Sequence, residues 1–133
     1  MQIEVIHSAF EDEAEHVANV AAPMTDVMEA LEYAFRYTNN VEGSWSMKVG
    51  GDSNDDVEVV KPLYKGRGHR STSVGDHMRV DGQLYIVAGM GFKPVTEIKY
   101  RKCLLGVDNS IKEGILYRQS RSWRAIWIFI LNF

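Results

Sequence analysis

Residues 1–7 alternate, with Ile3 and Val5 on one side of the chain and Glu4 and Ile6 on the other. That period of two predicts an edge or half-buried strand. An acidic run (Glu11, Asp12, Glu13, Glu15) leads into Val17 to Ala22, where the pattern predicts a short helix ending near Pro23. The clearest helix spans Thr25 to Thr38. Val27, Leu31, Ala34, Phe35 and Thr38 make one apolar face, widened by Met28 and Ala30. Thr25 is the expected cap, Asp26 and Glu29 suit the positive end of the helix dipole, and Glu32 and Arg36 form an i, i+4 pair. Asn39-Asn40 is expected to stop the helix through a left-handed residue.

Beyond it, 42–56 reads as a long polar connection interrupted by Trp45 and Met47, with a mobile stretch from Gly50 to Asp56. Val57 to Val60 predicts a strand. His77 to Val80 and Leu84 to Ala88 are apolar-rich runs separated by Asp81-Gly82-Gln83, the strongest hairpin signal in the chain, because Asp-Gly supplies the positive φ of a tight turn. Val95 to Tyr100 is a further candidate strand. The expected class is α+β: one main amphipathic helix packed on an antiparallel sheet, for which a barrel-like form is one option.

Composition narrows the class more than the function. With 133 residues, 45% hydrophobic and 25% charged, the chain suits one globular domain and excludes a disordered protein or a collagen-like fibre. Cys103, the one cysteine, excludes a disulfide scaffold and fits a reducing, cytoplasmic setting. The first residues lack the basic start and long apolar stretch of a signal peptide, and the longest apolar run, Ala125 to Leu131, is far short of the roughly 20 residues of a membrane span. No membrane partner is expected. The net charge of −3 hides a split: 1–100 carry 9 Lys+Arg against 16 Asp+Glu, whereas 101–133 carry 6 against 2. The organisation expected is therefore a body over 1–103 and a basic, strongly apolar tail over 104–133. The tail either completes the sheet or lies in an interface, with 123–133 as the candidate surface of a homodimer.

Candidate chemistry concentrates in 65–82. Gly66-Arg67-Gly68-His69-Arg70-Ser71-Thr72-Ser73 has the ingredients of an anion or nucleic-acid loop: convergent backbone N–H groups, two guanidinium groups and hydroxyl donors. Arg67, His69, Arg70, Ser71, Ser73 and the nearby Arg79 are the candidate binding residues. The plainer alternative is a solvated loop held by Ser/Thr turn chemistry, and neither a Walker loop nor Gly-x-Gly-x-x-Gly is matched. Gly75-Asp76 and Asp81-Gly82 read as structural turns, the Asp76 carboxylate accepting local backbone N–H bonds. Asp52, Asn54 and Asp56 imitate the start of a calcium loop, but Val57 and Leu63 occupy the places that need Gly and Glu. His7, His16, His69 and His77 lack metal-ligand spacing, and no nucleophile has a local signature. No catalytic residue, metal or cofactor is predicted.

The stretch 65–95 resembles the YodL-like proteins and their small phage and plasmid relatives. Ser71, Ser73, Val74 and Asp76 match a hydroxyl-x-Ser-Val-x-Asp block, and Gly91-Phe92 matches the pair closing the following hairpin. Leu31 to Asn40 and Gly43-Ser44-Trp45 resemble the upstream part of the small relatives, so the likeness covers about 27–95. Gly75 stands where the family often carries a second Ser, against a serine array as a catalytic site. The resemblance implies a mobile-element setting more than any particular chemistry. Three functions are expected in descending order. The first is a non-catalytic module binding a protein partner through its acidic body. The second is an RNA- or DNA-binding module of the PUA or ASCH type, using Lys61, Lys65, Arg67, Arg70, Arg79 and Lys93 with Tyr64 and Tyr85 for stacking. The third is a small hydrolase or nucleotide-binding enzyme built on Arg67, His69, Arg70 and the hydroxyls.

Overall fold

The structure is a computed structural model that describes residues 1–61 and 67–100. The expectations for Tyr64, Lys65, Gly66, Cys103 and the 104–133 tail, including a dimer through 123–133, lie outside the described residues. In order, the elements are β1 (Gln2–His7), β2 (Glu15–Ala21), α1 (Val27–Tyr37), β3 (Gly43–Ser44), β4 (Val49–Gly50), β5 (Val57–Val59), β6 (His77–Val80), β7 (Gln83–Val87) and β8 (Phe92–Val95). Six strands form one antiparallel sheet in the order β5-β2-β1-β6-β7-β8, and β3-β4 is a separate two-stranded ribbon. The class is α+β. Among the described residues β5 and β8 do not pair with each other, and no closed barrel is shown.

Two strand expectations need correction at the N-terminal end. Far from being an edge, β1 is an interior strand, with β2 on one side and β6 on the other. The clue was Ile6, an apolar residue on the face that otherwise carries Gln2 and Glu4; it is buried, as are Ile3 and Val5 on the opposite face. The stretch expected to be a short helix is β2. It pairs along all of β1, from Gln2↔Ala21 to His7↔Glu15, and continues the sheet to β5. A helix there would strip β1 of those backbone partners. The register slips between Val5 and Ile6, which leaves Val17 as an extra, fully buried residue in β2.

Helix α1 covers the face of the sheet that carries Ile3, Val5, Ala18, Val20, Met78 and Val80, burying Ala30, Leu31 and Ala34 against it. Its cap is Asp26 rather than Thr25: an Asp26 carboxylate oxygen accepts the Glu29 N–H at 3.0 Å. Met28, expected on the apolar face, is exposed. No left-handed Asn ends the helix. Thr38 is the C-cap at φ −116°, its hydroxyl donates to Ala34 O at 2.7 Å, and the Asn39 amide donates to Phe35 O. Side chains thus satisfy the last carbonyls, which is the other route to a finished helix end.

The polar connection is anchored. Asp52 is fully buried and accepts from Val41 N–H and Glu42 N–H, each at 2.8 Å, and from Arg36 at 3.1 Å. Arg36 therefore serves Asp52 rather than the expected Glu32. Burial alone would raise the Asp52 pKa; the hydrogen bonds and the Arg36 charge outweigh it and hold the carboxyl below its ordinary value. Trp45 is wholly buried in the core, and its indole N–H donates to Arg70 O at 2.9 Å.

The hairpin β6-β7 forms around Asp81-Gly82, at φ 50° and 78°, as the Asp-Gly pair predicts. The last strand comes earlier than expected, at Phe92–Val95, because Gly91 at φ 75° lets the chain reverse tightly, with Ala88 N–H donating to Gly91 O. Residues 96–100 leave the sheet instead of forming its strand: Lys99 N–H donates to His77 Nε2 at 3.0 Å, and Tyr100 Oη accepts from Ala14 N–H at 3.0 Å. Both sheet edges are guarded. The Lys48 ammonium donates to Val57 O on β5 at 2.7 Å, and Pro94 removes a donor from β8.

Candidate functional site

The 67–76 loop meets the end of β1 in a buried polar junction built around Asp76. This carboxylate is fully buried and accepts five hydrogen bonds: Ser8 N–H and Ala9 N–H at 2.9 Å, Ser73 N–H at 2.7 Å, and two from Arg70 at 2.7 Å. The Ser73 bond is local; the Ser8 and Ala9 bonds clamp the loop to the chain leaving β1. Burial would raise the Asp76 pKa, but Arg70 and the donor cluster more than offset it and hold the carboxyl below its ordinary value.

Arg70 is saturated. A guanidinium has five N–H donors. Here two go to Asp76, two to Glu11 at 2.9 and 3.2 Å, and one to Ser71 O at 2.8 Å, while Phe10 lies under the group at 4.8 Å. Burial opposes the charge, yet the two carboxylates raise the Arg70 pKa further above its ordinary range. No donor is left for a phosphate.

Ser8 and His77 lie 2.8 Å apart, Oγ to Nδ1, and so imitate a nucleophile and base. Their proton direction is the reverse of that chemistry. His77 Nε2 accepts the Lys99 N–H at 3.0 Å, so Nδ1 holds the ring proton and donates it to Ser8, whose own hydroxyl donates to Gly75 O at 3.2 Å. Both side chains are buried. A second relay starts at the end of α1. Thr38 donates to Ala34 O, Thr72 donates to Thr38 Oγ1 at 2.8 Å, and His7 Nε2–H donates to Thr72 Oγ1 at 2.9 Å. Burial is the main cause that lowers the pKa of His7 to about 4, opposed by the nearby Asp76 charge; the same balance, with Lys99 reinforcing burial, lowers that of His77 to about 4. Both rings are therefore neutral near pH 7.

The other candidates of the loop do not converge. His69 is buried, stacked on Trp45 at 5.7 Å between ring centres, with its Nε2 on Lys61 O. Ser71 Oγ accepts from Asn40 N–H at 2.8 Å, tying the loop to the end of α1. Arg67 is exposed, and Arg79 faces Glu4 at 3.3 Å across β1 and β6. Gly75, at φ 98°, supplies the turn before Asp76, and Asp81-Gly82 sits at the far end of the hairpin. Tyr85 packs against the core. The loop therefore brings Arg70, Ser73 and Asp76 together and leaves Arg67 and Arg79 apart.

Sequence reading missed Glu11 and Ser8 in the junction, because contacts across 59 and 68 residues leave no local pattern. It also missed an open apolar pocket of about 360 Å³ between α1 and the β7-β8 turn. Glu32 and Phe35 of α1, Val74, Val87, Gly89 and Phe92 line it. Phe35 and Phe92 meet edge to face, 6.3 Å between centres, and Met90 at the turn is 92% exposed.

Surface charge completes the geometry. Among the described residues, Lys61 pairs with Glu15, Arg36 with Asp52, Arg70 with Asp76 and Glu11, Arg79 with Glu4 and Lys99 with Glu97. The acids Asp12, Glu13, Asp26, Glu29, Glu32, Glu42, Asp55, Asp56, Glu58, Asp81 and Glu97 are exposed, against Lys48, Lys61, Arg67 and Lys93. No helix of the described residues is long and apolar enough to cross a membrane. No family model matches the chain, and no curated protein or solved structure matches it.

Proposed function

We propose that the chain is a non-catalytic protein-interaction module whose acidic body docks on a basic protein, in the mobile-element setting that its YodL-like resemblance implies and the cytoplasmic setting that its lone Cys103 fits. The observation that carries this reading is the fate of the cations. Arg70 and Arg79, central to the nucleic-acid alternative, spend their charge on Asp76, Glu11 and Glu4, whereas most of the surface acids face water. A duplex or single strand would meet an excess of negative charge on this surface, and the stacking role expected of Tyr85 competes with its place against the core. The hydrolase alternative is disfavoured by the Ser8–His77 proton direction and by the saturation of Arg70.

The test is binding by the full chain at low salt to polylysine, with duplex DNA and single-stranded RNA in parallel. Polylysine binding that weakens as salt rises, with no shift of either nucleic acid, is the expected result. Salt-dependent binding of DNA or RNA, or no interaction with polylysine, would overturn the reading.

A further inference from the structure

The pocket between α1 and the β7-β8 turn joins an apolar interior to an acidic rim. It is apolar inside, with Phe35, Phe92, Val74 and Val87 around a volume of about 360 Å³. Its one charged lining residue is Glu32, which is exposed, and Glu29 is exposed one turn earlier on α1. The helix's own cation does not neutralise this rim, since Arg36 is held by Asp52. Lys93 of β8 does not either: it is registered with Ile86 on the sheet face opposite to Phe92. The volume lies at the lower end of the range for ligand pockets, which suits one large side chain better than an extended cofactor. Two rings already set edge to face offer a third ring both stacking and edge contacts. Gly89 adds no side chain, and a Cβ built there meets nothing within 4 Å. The neighbouring Met90, nearly fully exposed, is a flexible thioether of the kind that adapts to a partner's apolar surface.

Building on the interaction reading, we infer that this pocket is the anchor site for an aromatic side chain of a basic partner segment, with an adjacent Arg or Lys paired to Glu32. The acidic body draws the segment in, and the pocket selects among basic segments by their aromatic residue. Charge accounts for encounter and apolar burial for retention.

Fluorescence anisotropy with labelled five-residue peptides tests this on the full chain. The probe is Arg-Arg-Trp-Arg-Arg, compared with Arg-Arg-Ala-Arg-Arg (the Ala peptide) and with Glu-Glu-Trp-Glu-Glu (the Glu peptide). The Trp peptide should bind at least tenfold tighter than the Ala peptide. Gly89→Phe, which fills the pocket from an open position, should remove that advantage while leaving the Ala peptide unchanged. Glu32→Lys, at an exposed site, should weaken the Trp peptide about tenfold. Thermal melting of both variants confirms that they are folded. Equal binding of the Trp and Ala peptides would overturn the pocket while leaving the acidic docking surface standing. Equal binding of the Arg and Glu peptides would overturn the paired cation, and no binding by any Arg peptide would overturn both readings together.

Discussion

The C-terminal end of α1 and its outer flank sit beside opposite kinds of site. At the C-terminal end, Thr38 leads through Thr72 to the buried His7, beside the junction where the half-buried Arg70 and the buried Asp76, Ser8 and His77 are bonded in turn. Along its exposed flank, Glu32 and Phe35 border an apolar pocket open to solvent. The first holds nearly all the residue types associated with chemistry, yet its donors and acceptors are used internally. The second holds ordinary residues and is accessible. Reactive side chains indicate a site only when their hydrogen-bonding capacity is left over for something else, and here it is left over at the pocket rim.

The comparison can be broken most severely at Asp76. Asp76→Ala leaves Arg70 half-buried without its main partner and orphans three backbone N–H groups, so a stability loss of about 3–5 kcal/mol is expected in urea denaturation. A loss below about 1 kcal/mol would mean that the junction is not a clamp.

Acid should attack the same region. Each of His7 and His77 has a folded-state pKa of about 4 against 6.5 unfolded, so the unfolded chain binds protons first as pH falls. Their neutral forms stabilise the fold above pH 6.5, and that contribution is lost between 6.5 and 4, by about 3 kcal/mol for each ring. Asp76 and Asp52, held below the ordinary carboxylate value of 3.8, add a loss of the same sign at still lower pH. Melting temperatures at pH 7, 5.5 and 4 should fall steadily. A flat profile would place the imidazoles in contact with water.

Ser8→Ala separates a clamp from a catalyst. Removing its hydroxyl leaves the His77 Nδ1–H unpaired and should cost about 1–2 kcal/mol, with no change in binding of the Arg-Arg-Trp-Arg-Arg peptide. At the pocket, Glu32→Gln should shift stability by less than about 0.5 kcal/mol, because the side chain is exposed. Its effect belongs to the salt dependence of peptide binding, which should become shallower. If Glu32→Gln destabilised the fold as much as Ser8→Ala, the division between a structural junction and an open pocket would fail.

Local chemistry explains what was legible. Asp81-Gly82 dictates a two-residue turn through its positive φ values, and the spacing of Leu31 and Ala34 dictates a buried helix face; both need only neighbouring residues. Val17 to Ala22 was misread because its apolar spacing satisfies a helix and a strand alike, and only the pairing with β1 decides between them. Asp52 and Trp45 stood in a stretch that looks like polar linker, since an anchoring carboxylate cannot be told from a solvated one without its donors. Of the candidate loop, the turn at Gly75-Asp76 was readable from residue type. The engagement of Arg70 was not, because Glu11 lies 59 residues away.

By itself, then, the sequence determined the α+β class, the main helix, the central hairpin and the acidic excess of the body, all properties of spacing and composition. Only the tertiary structure decided that β1 is interior, that Arg70 is spent on carboxylates, and that Glu32 borders an open apolar pocket. Those are outcomes of which distant groups meet, and hydrogen-bond saturation and pocket shape exist only once they have met.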